Sequence, residues 1–104
     1  MNNNKIDLQR KAGDSDLVIR NGVIDDMRSQ QITTGYHRLF TIRWYKVYGK
    51  DIQHHSLPVS AFNEVARLVK GDGYQDGDRV DMLGEVKTHK GEIYVELKDI
   101  KRAI

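Results

Sequence analysis

Apolar positions along the chain fall into short alternating runs with one helical interruption. Leu17 to Ile24 is aliphatic and β-branched. It predicts a first strand, with Asn21-Gly22 marking a bulge or bend. Asp25 to Gly35 is polar and reads as a connection. Tyr36 to Tyr48 is rich in aromatic and β-branched residues and predicts a long strand. Alternation places Phe40, Ile42 and Trp44 on one face, and Thr41, Arg43, Tyr45 and Val47 on the other. Gly49-Lys50-Asp51 is a turn, and Ile52 to Val59 is a third strand that Pro58 confines to an edge or to its end. Ser60 then suits a helix N-cap, with the helix running from Ala61 to Lys70. Within it Phe62, Val65, Ala66 and Val69 recur at the spacing of one helical face. Gly71 to Asp78 is a loop rich in glycine and aspartate. Arg79 to Lys87 alternates, with Val80, Met82, Gly84 and Val86 facing inward and Asp81 and Glu85 outward. His89 to Glu92 turns the chain. The last strand sets Ile93, Val95 and Leu97 against Tyr94, Glu96 and Lys98.

The order β-β-β-α-β-β describes an all-β domain with one helix, which is the layout of a five-stranded OB-fold barrel. In such a barrel strands two and three, with the loops joining strands one to two and four to five, form the usual ligand face. With 104 residues the chain supports one domain and one core. Residues 17–104 are expected to form it, behind a polar, mobile leader at 1–16. No apolar run approaches the ~20 residues needed to span a bilayer, and the first residues lack the pattern of a signal peptide. The absence of cysteine excludes disulfides and thiolate metal sites. These features fit a cytoplasmic protein with no membrane association.

Charge changes the picture once it is divided along the chain. The formal net charge is +2 overall, but −1 over residues 1–27, +5 over 28–70 and −2 over 71–104. From Arg28 to Lys50 there are 23 residues without a carboxylate. That stretch holds Arg28, Arg38, Arg43, Lys46 and Lys50, and five of the eight aromatic residues: Tyr36, Phe40, Trp44, Tyr45 and Tyr48. Binding a single-stranded nucleic acid requires cations for phosphates and flat apolar surfaces for bases, and this segment interleaves the two. Phe40 and Ile42 read as core, and Trp44 could serve either role. The expected contacts are Arg38, Arg43, Trp44, Tyr45, Lys46, Tyr48 and Lys50. Lys87, His89 and Lys90 form a second basic cluster on the last hairpin. Asp81, Glu85 and Glu96 would repel phosphate beside it, so the ligand should favour strands two and three.

Several motifs resemble one family. Asn63-Glu64-Val65-Ala66 followed by Val69-Lys70-Gly71 is similar to the helix and helix exit of the bacterial single-stranded DNA-binding (SSB) proteins and the related PriB primosome proteins. Gly77-Asp78-Arg79-Val80 and Gly84 to Lys90 resemble the family's fourth strand and basic hairpin. The resemblance spans residues 17–102. It implies an OB-fold and sequence-tolerant binding of single-stranded DNA, with a role in replication, recombination or repair. It further implies a homodimer or homotetramer and replication proteins as partners. It also places His54 where the family often carries a stacking tryptophan, so His54 joins the expected contacts. Gly91 replaces another stacking aromatic. The chain closes on Lys101-Arg102-Ala103-Ile104 without the family's acidic tail, an architecture nearer to PriB and one in which tail-dependent recruitment is not expected.

Other chemistries find little footing. His54 and His55 are adjacent and would point to opposite faces of a strand, so they do not make a metal site. Asp72, Asp76 and Asp78 do not fit calcium-loop spacing. No nucleophilic triad, phosphate loop or paired-carboxylate motif is present, so neither enzymatic activity nor a cofactor is expected. The alternatives to DNA binding are an OB-fold module for protein–protein interaction and an RNA-binding OB domain.

Overall fold

The computed structural model describes residues 16–32 and 35–103. Strand β1 spans Asp16–Ile32, β2 Gly35–Tyr48 and β3 Asp51–Phe62; helix α1 spans Asn63–Gly71; strands β4 and β5 span Arg79–His89 and Glu92–Arg102. The strands close into a barrel in the order β1-β2-β3-β5-β4. This is the expected five-stranded OB-fold, with its one helix between β3 and β4. Of the expected leader, Asp16 opens β1, and residues 1–15 lie outside the described residues.

β1 closes the barrel because it pairs with two partners in succession. Asp16 to Ile19 and Gly22-Val23 pair with β4, and Val23 onward pairs with β2. Two bulges turn the strand from one neighbour to the other, between Ile19 and Gly22 and between Asp25 and Arg28. Asn21 and Asp26 take positive φ angles of 56° and 55° at these bends. Gly22 is required by close approach, since a Cβ there would lie 2.7 Å from Ile42 Cδ1. The polar segment expected to be a connection from Asp25 is thus the second half of β1. Its pairing with β2 supplies the backbone hydrogen bonds that its weak apolar pattern does not advertise.

The core gathers Ile19, Ile24, Phe40, Ile42, Val59, Ala61, Val80, Met82, Val95, Leu97 and Ile100 from all five strands. Ala66 and Val69 of α1 plug one end of it. Tyr74 follows them, buried and covered by the Arg102 guanidinium 4.3 Å from its ring centre. Burial raises the Tyr74 phenol above its ordinary pKa, with Arg102 opposing.

Three local expectations are corrected. Ser60 does not cap the helix: Ser60, Ala61 and Phe62 belong to β3 and pair with Leu39, Arg38 and His37. Phe62 occupies the N-cap position in an extended conformation and makes no side-chain cap. Asn63 instead accepts a hydrogen bond from the Tyr36 N–H at 3.2 Å, tying the helix start to β2. Asp81 does not face solvent. It is fully enclosed where the first β1 bulge covers it, and its Oδ1 accepts the Asn21 N–H at 2.8 Å. Ile93 shares the inward parity of Val95 and Leu97 but lies beyond the barrel wall and is 54% exposed.

Candidate nucleic-acid interface

Register fixes which side chains share a face. In the β2–β3 pair, Arg38, Phe40, Ile42 and Trp44 sit opposite Ala61, Val59, Leu57 and His55 on the inner face. His37, Leu39, Thr41, Arg43 and Tyr45 sit opposite Phe62, Ser60, Pro58, Ser56 and His54 on the outer face. The parallel contact of Val59-Ser60 with Val95-Glu96 carries this outer face onto β5, bringing Tyr94 alongside.

Beyond Trp44 and His55 the hairpin leaves the barrel as an arm with both faces exposed. It carries Tyr45, Lys46, Val47, Tyr48 and Lys50, with Ile52 and His54 on the returning strand. Tyr45, Val47, Tyr48 and Ile52 are each more than half exposed. Asp51 is the one acid of the arm. Tyr45 and His54 are tilted neighbours with ring centres 6.2 Å apart. At the arm's root Trp44 is partly buried against the core and stacked on His55, with ring centres 5.3 Å apart. A shallow recess of about 340 Å³ lies there, lined by Arg43, Trp44, Tyr45, His54 and His55 among others.

The remaining expected residues are distributed differently. Arg38 is half-buried on the inner face and donates to Ser29 Oγ, with the Tyr36 hydroxyl 3.5 Å away. The Ser29 hydrogen bond, with Arg38 behind it, lowers the Tyr36 pKa from its ordinary value. Arg43 forms an ion pair with Asp25 of β1 at 2.7 Å. Asp25 lies just outside the carboxylate-free stretch, so pairing across strands supplies a partner that the local sequence conceals. Lys87 pairs with Glu96 at 2.8 Å, and Lys98 with Glu85 at 3.1 Å. The hydrogen bond and charge of Glu96 raise the Lys87 pKa, and those of Glu85 raise that of Lys98. The β4–β5 face is therefore a set of internal ion pairs, not the bare acidic surface expected from Asp81, Glu85 and Glu96. His89 and Lys90 stand exposed at the hairpin tip, apart from Lys87.

One feature of the outer face is not apparent from sequence. A groove of about 480 Å³ runs between β2–β3 and the β4–β5 hairpin. Its walls include His37, Leu39, Pro58, Phe62, Ile93 and Tyr94, and its rim carries Arg28, His89 and Glu92. His37 and Phe62 meet edge to face with ring centres 4.2 Å apart. The helical spacing of Phe62 with Val65 and Val69 disguised its place on this face. The outward parity of Tyr94 was the available signal. Among the described residues no group of three or more metal-ligating side chains gathers in one place.

Neither a protein-family model nor a curated protein sequence matches the chain. Solved structures do. The small single-stranded DNA-binding protein of Streptomyces coelicolor is similar with a TM-score of 0.73 and 14% identity, over 90% of this chain and 97% of that one. The second single-stranded DNA-binding protein of Mycobacterium smegmatis is similar at 0.71 and 13%, over 85% and 87%. PriB of Ralstonia solanacearum is similar at 0.72 and 8%, over 86% and 98%. At these identities the likeness is one of fold, and it spans nearly the whole barrel.

Proposed function

We propose that this protein binds single-stranded DNA in a sequence-tolerant way, along the β2–β3 arm and the outer face that continues from it. The observation that carries the proposal is the arm itself. It exposes Tyr45 on its outer face, Lys46 and Tyr48 on the opposite face and Lys50 at its turn, beyond the end of the barrel's ligand face. Aromatic faces stack bases at roughly 1–3 kcal/mol each, and lysines meet the phosphates between them. His54 sits beside Tyr45 on the same outer surface, and His89 and Lys90 extend the path toward the β4–β5 hairpin. Arg43 contributes with its charge shared with Asp25, and Lys87 with its charge shared with Glu96. Trp44, stacked on His55, supports the arm's root and lines the recess beside it. Arg38 holds the β1–β2 side of the barrel in shape.

Similar folds in single-stranded DNA-binding and PriB proteins support DNA as the polymer and a role in replication, recombination or repair. No helix among the described residues is long and apolar enough to cross a membrane, in keeping with work in the cytoplasm. The test is titration of labelled oligo-dT, followed by fluorescence anisotropy at low and moderate salt. Binding at micromolar protein in low salt is expected, and each phosphate contact should add about 0.7 to the salt slope. Absence of binding in low salt overturns the proposal.

A further inference from the structure

Glu92 stands on the rim of the groove between β2–β3 and the β4–β5 hairpin. It is exposed, and unlike Glu85 and Glu96 it holds no ion pair among the described residues. Its cross-strand neighbour at the hairpin end is His89, also on the rim. Arg28 supplies a cation to the rim, shared with Asp26 at 3.6 Å. A carboxylate in the path of a polyanion weakens every phosphate contact near it. It is compatible with binding where it meets the edge of a base instead.

The groove has the shape for that meeting. At about 480 Å³ it falls in the ~300–1,000 Å³ range of small-ligand pockets. Phe62 and Tyr94 offer aromatic walls, and the edge-to-face contact of His37 with Phe62 restrains one of them. An ionised carboxylate accepts hydrogen bonds and donates none. Cytosine and adenine present an exocyclic amino group, which is a donor. Thymine presents a carbonyl oxygen at the corresponding position, and its one ring N–H lies between two carbonyls, so Glu92 would face acceptors. Building on the single-stranded DNA reading above, we infer that this groove takes a nucleobase bearing an exocyclic amino group, with Glu92 as the acceptor that discriminates against thymine. The arm remains tolerant of sequence, and the groove adds a bias at one position of the bound strand.

The experiment compares oligo-dC with oligo-dT of equal length, two pyrimidine strands, by anisotropy on the full chain. Oligo-dC should bind about tenfold more tightly, within the discrimination that a side chain–base contact provides. In Glu92→Gln the amide both donates and accepts, so the preference should collapse to about twofold or less, with oligo-dT binding improved. Glu96→Gln removes a carboxylate that pairs with Lys87 and is not part of the groove lining, and should retain the preference. Equal affinity of the wild-type chain for both strands overturns the inference. So does a preference that survives Glu92→Gln or is lost equally in Glu96→Gln. Failure of both strands to bind in low salt overturns the DNA-binding proposal, and this inference with it.

Discussion

A cation contributes to phosphate binding according to what already neutralises it. Arg43 and Lys46 look alike in sequence, yet Arg43 is held by Asp25 while Lys46 projects from the arm. Replacing Asp25 with Asn should release the guanidinium to the ligand. The amide oxygen can still accept the Asp26 N–H that Asp25 now accepts at 3.0 Å, so the second β1 bulge should survive. We expect Asp25→Asn to bind oligo-dT more tightly and to steepen the salt dependence by up to about 0.7 in slope. Anisotropy titrations over a range of salt concentrations measure both, and an unchanged slope would show that Arg43 does not reach phosphate. The ion pair was hidden from sequence reasoning for a geometric reason. Asp25 and Arg43 are separated along the chain and meet only through the Asp25–Thr41 register of β1 with β2.

Strands report their burial in sequence more readily than their pairing. β2 was legible because Phe40 and Ile42 alternate with polar residues, and the inner face is where they lie. The second half of β1 was not. Arg28, Ser29 and Gln30 are all exposed, so the strand is held by its ladder with β2 and leaves no apolar period to detect. The apolar period reveals the helix but not its start at Asn63. Ser60 is a plausible cap and Phe62 fits the helical face, but cross-strand pairing with Leu39 and His37 holds both residues in β3. Tertiary pairing there overrides a local signal. Gly84 in β4 shows the same dependence on neighbours. A Cβ there would press on Val95 Cγ1 and lie 2.9 Å from the Glu96 carbonyl oxygen. Gly84→Ala should cost about 1–3 kcal/mol by overpacking. Thermal unfolding should report it as a fall of roughly 4–8 °C for each kcal/mol. An unchanged midpoint would mean that β5 yields more easily than its packing implies.

At the scale of the whole molecule, the modest net charge of +2 conceals a division of labour. Most carboxylates on β4 and β5 are spent on internal pairs or buried, whereas the arm's lysines remain open. The barrel is closed, but β3 is covered on its far side by β5 only at Val59 and Ser60. From Asp51 to Pro58 it pairs with β2 alone, leaving an edge of the kind that invites another chain. We expect self-association into a homodimer or homotetramer. Sedimentation velocity at micromolar concentrations is the direct check, and a single monomeric boundary would count against it. The fold class and the location of the basic, aromatic arm were legible from sequence, because both depend on residues close together in the chain. The groove was not, because its walls come from β2, β3 and β5 and meet only in the closed barrel.

The succession of partners along β1 also has a consequence in time. Asn21 and Asp81 are 60 residues apart in sequence, and their contact forms only when β4 arrives. At a synthesis rate of about 5–20 residues per second, the nascent chain waits roughly 3–12 seconds between emergence of the two. The β2–β3 arm needs only a hairpin turn and can form within that interval. A newborn molecule would therefore display its β2–β3 arm while one side of β1 still lacks its partner.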